Sequence, residues 1–151
     1  MTIDRAIEIL DPEHRENYDG MDEVNEACRM GMEALERTRW IPVTERLPEP
    51  EAEVVILAER KTYSFKWKGV TTHHIVTTGM YEDGSKNTEN SVYVWETDGF
   101  EYDEELDAYI IPEGWWEWKH YIGDECHNYA IDDVVTHWMP LPEPPKEEQK
   151  Q

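Results

Sequence analysis

Apolar positions in the first forty residues recur with a helical period. Ile3, Ala6, Ile7 and Leu10 fall at i, i+3, i+4 and i+7, with Thr2 placed to cap the first turn. Asp11-Pro12 restarts the chain, so Pro12 to Tyr18 reads as a second short turn closed by Asp19-Gly20. Asp22 is then expected to cap the longest helix. Its apolar stripe is Val24, Ala27, Cys28, Gly31, Ala34 and Leu35, with Glu23, Glu26, Arg29, Glu33 and Arg37 elsewhere. Residues 1–38 thus predict a helical hairpin. One use for such a hairpin is a helix-turn-helix for DNA. Residues 1–40, however, carry five bases against eleven acids, which favours a packing or oligomerisation arm.

From Trp40 the period changes to two, and Pro42, Pro48 and Pro50 punctuate the switch. The continuous run Val54-Val55-Ile56-Leu57 suits a central strand buried on both faces. The next run alternates, Tyr63, Phe65 and Trp67 against Ser64, Lys66 and Lys68, with Gly69 as the turn. Val70 to Thr78 is dense in β-branched residues, and Ser91 to Glu96 sets Val92 and Val94 against Tyr93 and Trp95, so both predict strands. Glu82 to Asn87 is an evident loop, and residues 97–108 are polar and acidic. Shorter strands are expected at Tyr109-Ile110-Ile111 and Trp115-Trp116-Glu117-Trp118, and a last one at Val134 to Met139. Pro140, Pro142, Pro144 and Pro145 force an extended exit. The expected fold class is α+β: an N-terminal helical hairpin with a small, mostly antiparallel sheet and a proline-rich C-terminal exit. The expected units are the hairpin at 1–38, a β-rich core domain at 39–145 and a disordered tail at 146–151.

Composition narrows the class. The 151 residues include seven Trp and eight Tyr, more aromatic surface than a disordered chain carries. No apolar run approaches a membrane span, and Asp4, Arg5 and Glu8 stand where a signal peptide would be apolar. A cytoplasmic protein with reduced Cys28 and Cys126 is the expectation. The net charge is −21, which argues against general duplex binding, because that affinity comes from Lys and Arg neutralising phosphates. The acidity is uneven: residues 81–120 hold twelve acids and two bases, whereas residues 41–80 balance to zero. The island at residues 60–74 escapes the acidity.

Candidate chemistry is sparse. His73, His74, His120, Cys126, His127 and His137 could form a mixed metal site only through folding, since their spacing matches no C-x-x-C or H-E-x-x-H pattern. Asp103-Glu104-Glu105 and Asp132-Asp133 could hold magnesium, but 35 acids make such clusters commonplace. There is no phosphate-loop, dinucleotide or nucleophile-elbow motif. The island offers more. Arg60, Lys66 and Lys68 could hold phosphate while Tyr63, Trp67, Trp116 or Trp138 stack a base, with His74 and His137 completing a ligand-binding set. The competing reading puts Tyr63, Phe65 and Trp67 in the core with solvated lysines outside. The acids of residues 81–133 support a third reading, in which they imitate the phosphate field of DNA and occupy another protein's basic groove.

Three stretches carry a family resemblance. Trp40-Ile41-Pro42-Val43-Thr44-Glu45-Arg46-Leu47-Pro48, Val54-Val55-Ile56-Leu57, and the closing Val135-Thr136-His137-Trp138-Met139-Pro140-Leu141-Pro142-Glu143-Pro144-Pro145 resemble the phage and prophage family known as domain of unknown function 551. The leader through Leu35 is similar to an N-terminal module on small phage proteins of gut-type Firmicutes, and residues 81–133 look like an insertion relative to shorter members. The resemblance implies a small accessory gene of a phage or mobile element, and no catalytic residues. The expected function is therefore non-enzymatic antagonism of a host defence system by binding, in the cytoplasm of the infected bacterium. Sequestration of a small nucleotide-like immune signal comes first. An acidic nucleic-acid mimic that inhibits a host nuclease or other immune protein is the alternative, and a metal-dependent phosphodiesterase is a third. No cofactor, membrane or duplex DNA partner is expected, and residues 1–38 are a candidate homo-oligomer contact.

Overall fold

The computed structural model describes residues 1–11, 13–14, 16–18, 20–120 and 126–144, the side chains of 119, 120, 126 and 127 excepted. The chain divides into two compact units, Met1–Arg39 and Trp40–Gln151.

In the first unit α1 (Ile3–Leu10) begins as the sequence predicts, with the Arg5 N–H donating to Thr2 Oγ1 at 3.2 Å. In α2 (Asp22–Thr38) Asp22 is the first helical residue rather than the cap. The cap is Met21, which makes no side-chain bond, and Asp22 and Glu23 instead place carboxylates at the positive end of the helix dipole. The two helices meet at Ala6, Ala27 and Gly31. A Cβ on Gly31 would stand 3.1 Å from Leu10 Cδ1, so even a methyl group there would make the Leu10 side chain shift. The expected stripe is therefore too wide: Cys28, Ala34 and Leu35 are exposed. Arg5 ties the unit together, donating to Glu8, Glu16 and Glu23 at 2.9, 2.8 and 3.2 Å. The expected turn over Pro12 to Tyr18 lies partly outside the described residues.

Among its described residues the second unit holds eight strands: β1 (Ile41–Pro42), β2 (Val54–Ser64), β3 (Gly69–Glu82), β4 (Glu101–Asp103), β5 (Ala108–Ile110), β6 (Gly114–His120), β7 (Cys126–Ala130) and β8 (Val134–Pro140). Six form one sheet in the order β1-β8-β2-β3-β6-β7, each neighbour antiparallel, and β4 pairs with β5. The fold is α+β.

Val54–Leu57 is central, between β8 and β3, but it alternates. Val54, Ile56 and Ala58 are buried while Val55 and Leu57 are half-buried, so one face makes the core. That core is Ile41, Val54, Ile56, Ala58, Val135 and Trp138; a second comprises Met80, Trp95, Ile111 and Trp116. Gly79 lies between them in sequence and space. A Cβ there would come within 3.1 Å of Ile56 Cδ1 and of the Trp116 carbonyl, and 3.2 Å of Ile131 Cδ1, so any side chain at this position would crowd the junction of the two cores.

Ser91–Glu96 is not a strand. Among the described residues no strand pairs with it, and side-chain anchors fix it instead: Trp95 Nε1 donates to Ser91 Oγ at 2.8 Å and the Val92 N–H to Glu51 at 3.2 Å. The alternation after Tyr63 also ends early. Ser64 pairs with Gly69, so Phe65 to Lys68 form the hairpin turn, with Lys68 at a left-handed φ of 46°. Among the described helices none is long and apolar enough to cross a membrane.

Candidate functional site

The β2–β3 hairpin outruns its neighbours. β8 pairs with β2 only from Val54 to Glu59, and β6 pairs with β3 only from Met80 to Glu82. Beyond those limits the hairpin continues as a two-stranded ribbon. Residues 60–74 contain Arg60, Lys61, Lys66 and Lys68 and no acid, so a cationic ribbon stands on a strongly anionic body.

The end of the ribbon is aromatic and exposed. Phe65 is 87% and Trp67 77% exposed. The Tyr63 and Phe65 rings meet edge to face at 5.1 Å, and Lys66 Nζ lies 4.9 Å from the Trp67 ring centroid, a cation–π arrangement. Along the ribbon, Thr62 Oγ1 and His73 Nε2 are hydrogen-bonded at 2.9 Å, and His74 Nδ1 lies 3.9 Å from Glu59. The alternative in which these aromatics form the core does not hold, because Tyr63, Phe65 and Trp67 are all exposed.

At the base of the ribbon is a cleft of about 580 Å³ with Ala58, Ile75 and Ile131 in its walls and Glu117, Asp132 and Asp133 adding negative charge. Arg60 also lines it, but its guanidinium grips Asp133: Nε donates to both carboxylate oxygens at 3.1 and 3.0 Å, and Nη2 to Oδ2 at 2.7 Å. This pairing lowers the Asp133 pKa and raises that of Arg60. Arg60 is thus committed to a carboxylate rather than presented to a phosphate.

The sequence-derived ligand set does not converge. Tyr63, Lys66, Trp67, Lys68 and His74 share the ribbon, and Arg60 stands at its base. Trp116 is buried against Trp95 at 5.2 Å, with Nε1 donating to the Pro112 carbonyl. Trp138 is in the other core, its Nε1 donating to the Arg46 carbonyl at 2.9 Å and its ring under the Arg46 guanidinium. His137 is half-buried in β8, bonded through Nδ1 to Thr136 Oγ1. Buried indoles with satisfied N–H groups cannot stack a ligand without opening the core.

Among the described residues no three His, Cys, Asp or Glu side chains gather closely enough to hold a metal ion. The His120, Cys126 and His127 side chains lie outside the description. Asp103 serves its own turn, accepting from the Glu105 and Leu106 N–H groups at 2.8 and 3.1 Å.

Sequence reading missed one polar cluster. Glu82 is fully buried; one oxygen accepts the Glu51 N–H at 3.0 Å, and Oε2 has no partner among the described residues. Burial raises its pKa. Glu51 is half-buried, which works against its ionisation, but Lys86 and the Ser91 and Val92 bonds outweigh this and hold its pKa below the usual value. The only signal was a carboxylate closing an apolar strand end, indistinguishable from a loop residue.

A model of the family described as "Protein of unknown function (DUF551)" matches residues 39–146, most of the chain and all of the strands. No curated protein and no solved structure matches.

Proposed function

The chain belongs to the DUF551 family of proteins of unknown function, and on that premise we propose that it acts by binding, with the β2–β3 ribbon as its recognition element for a nucleotide-bearing anion. The single observation behind this reading is the ribbon end, where Phe65 and Trp67 are exposed beside Lys66 and Lys68 in a segment free of acids. Flat rings stack on bases and cations hold phosphates, and neither needs a closed pocket. A convex tip suits a ligand of several linked nucleotides better than a mononucleotide, which would be left largely in water. The biological setting is the one the family resemblance implies, a phage or prophage accessory protein that antagonises host defence by engaging such a ligand.

The test is a fluorescence titration of the protein with short oligothymidylate and with linear and cyclic nucleotides. Expected is saturable quenching whose affinity falls with salt at about −0.7 per phosphate contacted, and its loss in a Lys66→Ala, Trp67→Ala double variant. Stacking alone is worth about 1–3 kcal/mol per base. Absence of binding across the panel, or undiminished binding by the double variant, overturns the proposal. The acidic-decoy reading then gains. It has its own support in the carboxylates at Glu96, Asp98, Glu101, Glu104, Glu105 and Asp107, all exposed around the β4–β5 hairpin.

A further inference from the structure

The ribbon has a second unsatisfied feature, independent of its aromatic tip. β3 is fourteen residues long; β2 pairs with it from Gly69 to Gly79, and on the other side β6 pairs only from Met80 onward. Among the described residues nothing pairs with the outer edge of Gly69 to Gly79. That edge presents a row of backbone N–H and C=O groups, and such edges are normally blunted by charge or proline. This one has neither. Residues 69–81 form the longest stretch without Asp, Glu, Lys or Arg in a chain that is 32% charged.

We infer that this edge pairs antiparallel with the same edge of a second copy, about a two-fold axis at His73. The register follows from the two exposed valines. Val70 is 65% and Val76 61% exposed, and they lie on one face of the strand, three residues to either side of His73. A two-fold there sets Val70 against the other copy's Val76, twice over. It also sets Thr71 against Ile75 and Thr72 against His74. Cross-strand pairs of β-branched residues are the stabilising kind, and a two-fold contact closes on itself rather than propagating into a fibre.

The self-complementary register, with each valine meeting the other, selects the second copy as the occupant, and the lack of charge on the edge permits it. Two chains at −21 repel across most of their surfaces, and this edge is where their backbones meet without opposing carboxylates. The antiparallel arrangement also sends the two cationic tips to opposite ends. Lys68, two residues before Val70, comes level with the other copy's Thr78, next to the cleft whose rim carries Glu117 and Asp132. Pairing stops at Val76 because the next residue, Thr77, shares the lining of the cleft with Glu117, and β6 joins β3 from Met80.

The test is sedimentation equilibrium of the full chain from micromolar to a few hundred micromolar, beside a Val70→Lys, Val76→Lys variant. Both positions are exposed, so the variant keeps its fold, as circular dichroism verifies. Expected is a species at twice the 17.9 kDa of the chain that the variant loses, with at least a tenfold weaker association. A Met32→Lys, Leu35→Lys variant, altered on exposed positions of α2, should dimerise unchanged. Register is read separately: with Cys28 and Cys126 replaced by serine, His73→Cys should cross-link to itself on mild oxidation and Thr62→Cys should not. A monomer at every concentration, a dimer indifferent to the edge lysines, or equal cross-linking at both positions overturns the inference.

Discussion

The two halves of the β2–β3 hairpin share strands, partner and register, yet they have opposite fates. In the half nearer the sheet, Val54, Ile56 and Ala58 are buried, and Gly79, opposite Val54, leads into Met80 of the second core. In the distal half, Tyr63, Phe65, Trp67 and Val70 are exposed. Residue type does not separate the halves, since the distal one is the more aromatic. The difference is whether a third strand lies alongside. β8 lies along the proximal half, its pairing with β2 ending at Glu59, and β6 joins β3 at Met80, just past the last residue that β2 pairs. Burial is therefore a property of the neighbourhood, and the exposed end of the ribbon consists of apolar residues denied a neighbour.

The sharpest way to break this comparison is to truncate one side chain in each half. Ile56→Ala should cost about 2–5 kcal/mol by urea unfolding, and Phe65→Ala no more than about 0.5 kcal/mol. Similar losses at both would erase the distinction. A finer contrast uses two glycines of β3. Gly79→Ala, forced against Ile56, Ile131 and the Trp116 carbonyl, should cost about 1–3 kcal/mol. Gly69→Ala should be close to neutral, its nearest neighbour being 3.8 Å away.

A smaller effect concerns Glu82, which ends the buried half. Its folded-state pKa is raised by burial, so the folded protein holds that proton more tightly than the unfolded chain does. Its contribution therefore declines as pH rises from the ordinary carboxylate range through the raised value. Glu82→Gln keeps the acceptor for the Glu51 N–H and removes the charge. It should be more stable than the parent at neutral pH, and the gain should vanish toward pH 4 in a series of thermal melts. A gain that persists at pH 4 would mean that ionisation of Glu82 is not its source. Smallest of all, Trp67→Phe should leave the melting temperature within about a degree, since surface changes are usually worth less than about 0.5 kcal/mol. It should nonetheless remove the indole that acrylamide quenches most readily. An unchanged quenching constant would mean that Trp67 is no more accessible than Trp116 or Trp138.

Much of the fold was legible because it is written in local periods. The helix after Thr2, the β-branched strand before Gly79 and the closing Val134 to Met139 all follow from spacing alone. The misses share a cause. Ser91–Glu96 has strand composition but no partner strand, so Trp95 and Tyr93 fix it as a loop. In the run from Tyr63 to Lys68 the two-residue period carries on into the turn, and nothing in that alternation says that pairing ends at Ser64. The site divided the same way. The cationic, aromatic character of residues 60–74 was plain from the sequence. That Trp116 and Trp138 belong to cores, and that Arg60 is taken by Asp133, depends on contacts between residues far apart along the chain.

The strand order also bears on how the protein is made. β8 lies between β1 and β2, where Trp138 stands opposite both Ile41 and Ile56. A ribosome that has reached residue 130 has already released β1, β2 and β3, yet β8, the strand that pairs with β1, is still to come and one side of β2 is open. Val54 and Ile56 must wait for Val135 and Trp138 before their core closes. Such long-range pairing is slow, and it leaves sticky strands uncovered meanwhile. The unit gains cooperativity late in synthesis, and a message cut short before the codons of β8 yields an open, aggregation-prone sheet rather than a smaller version of the protein.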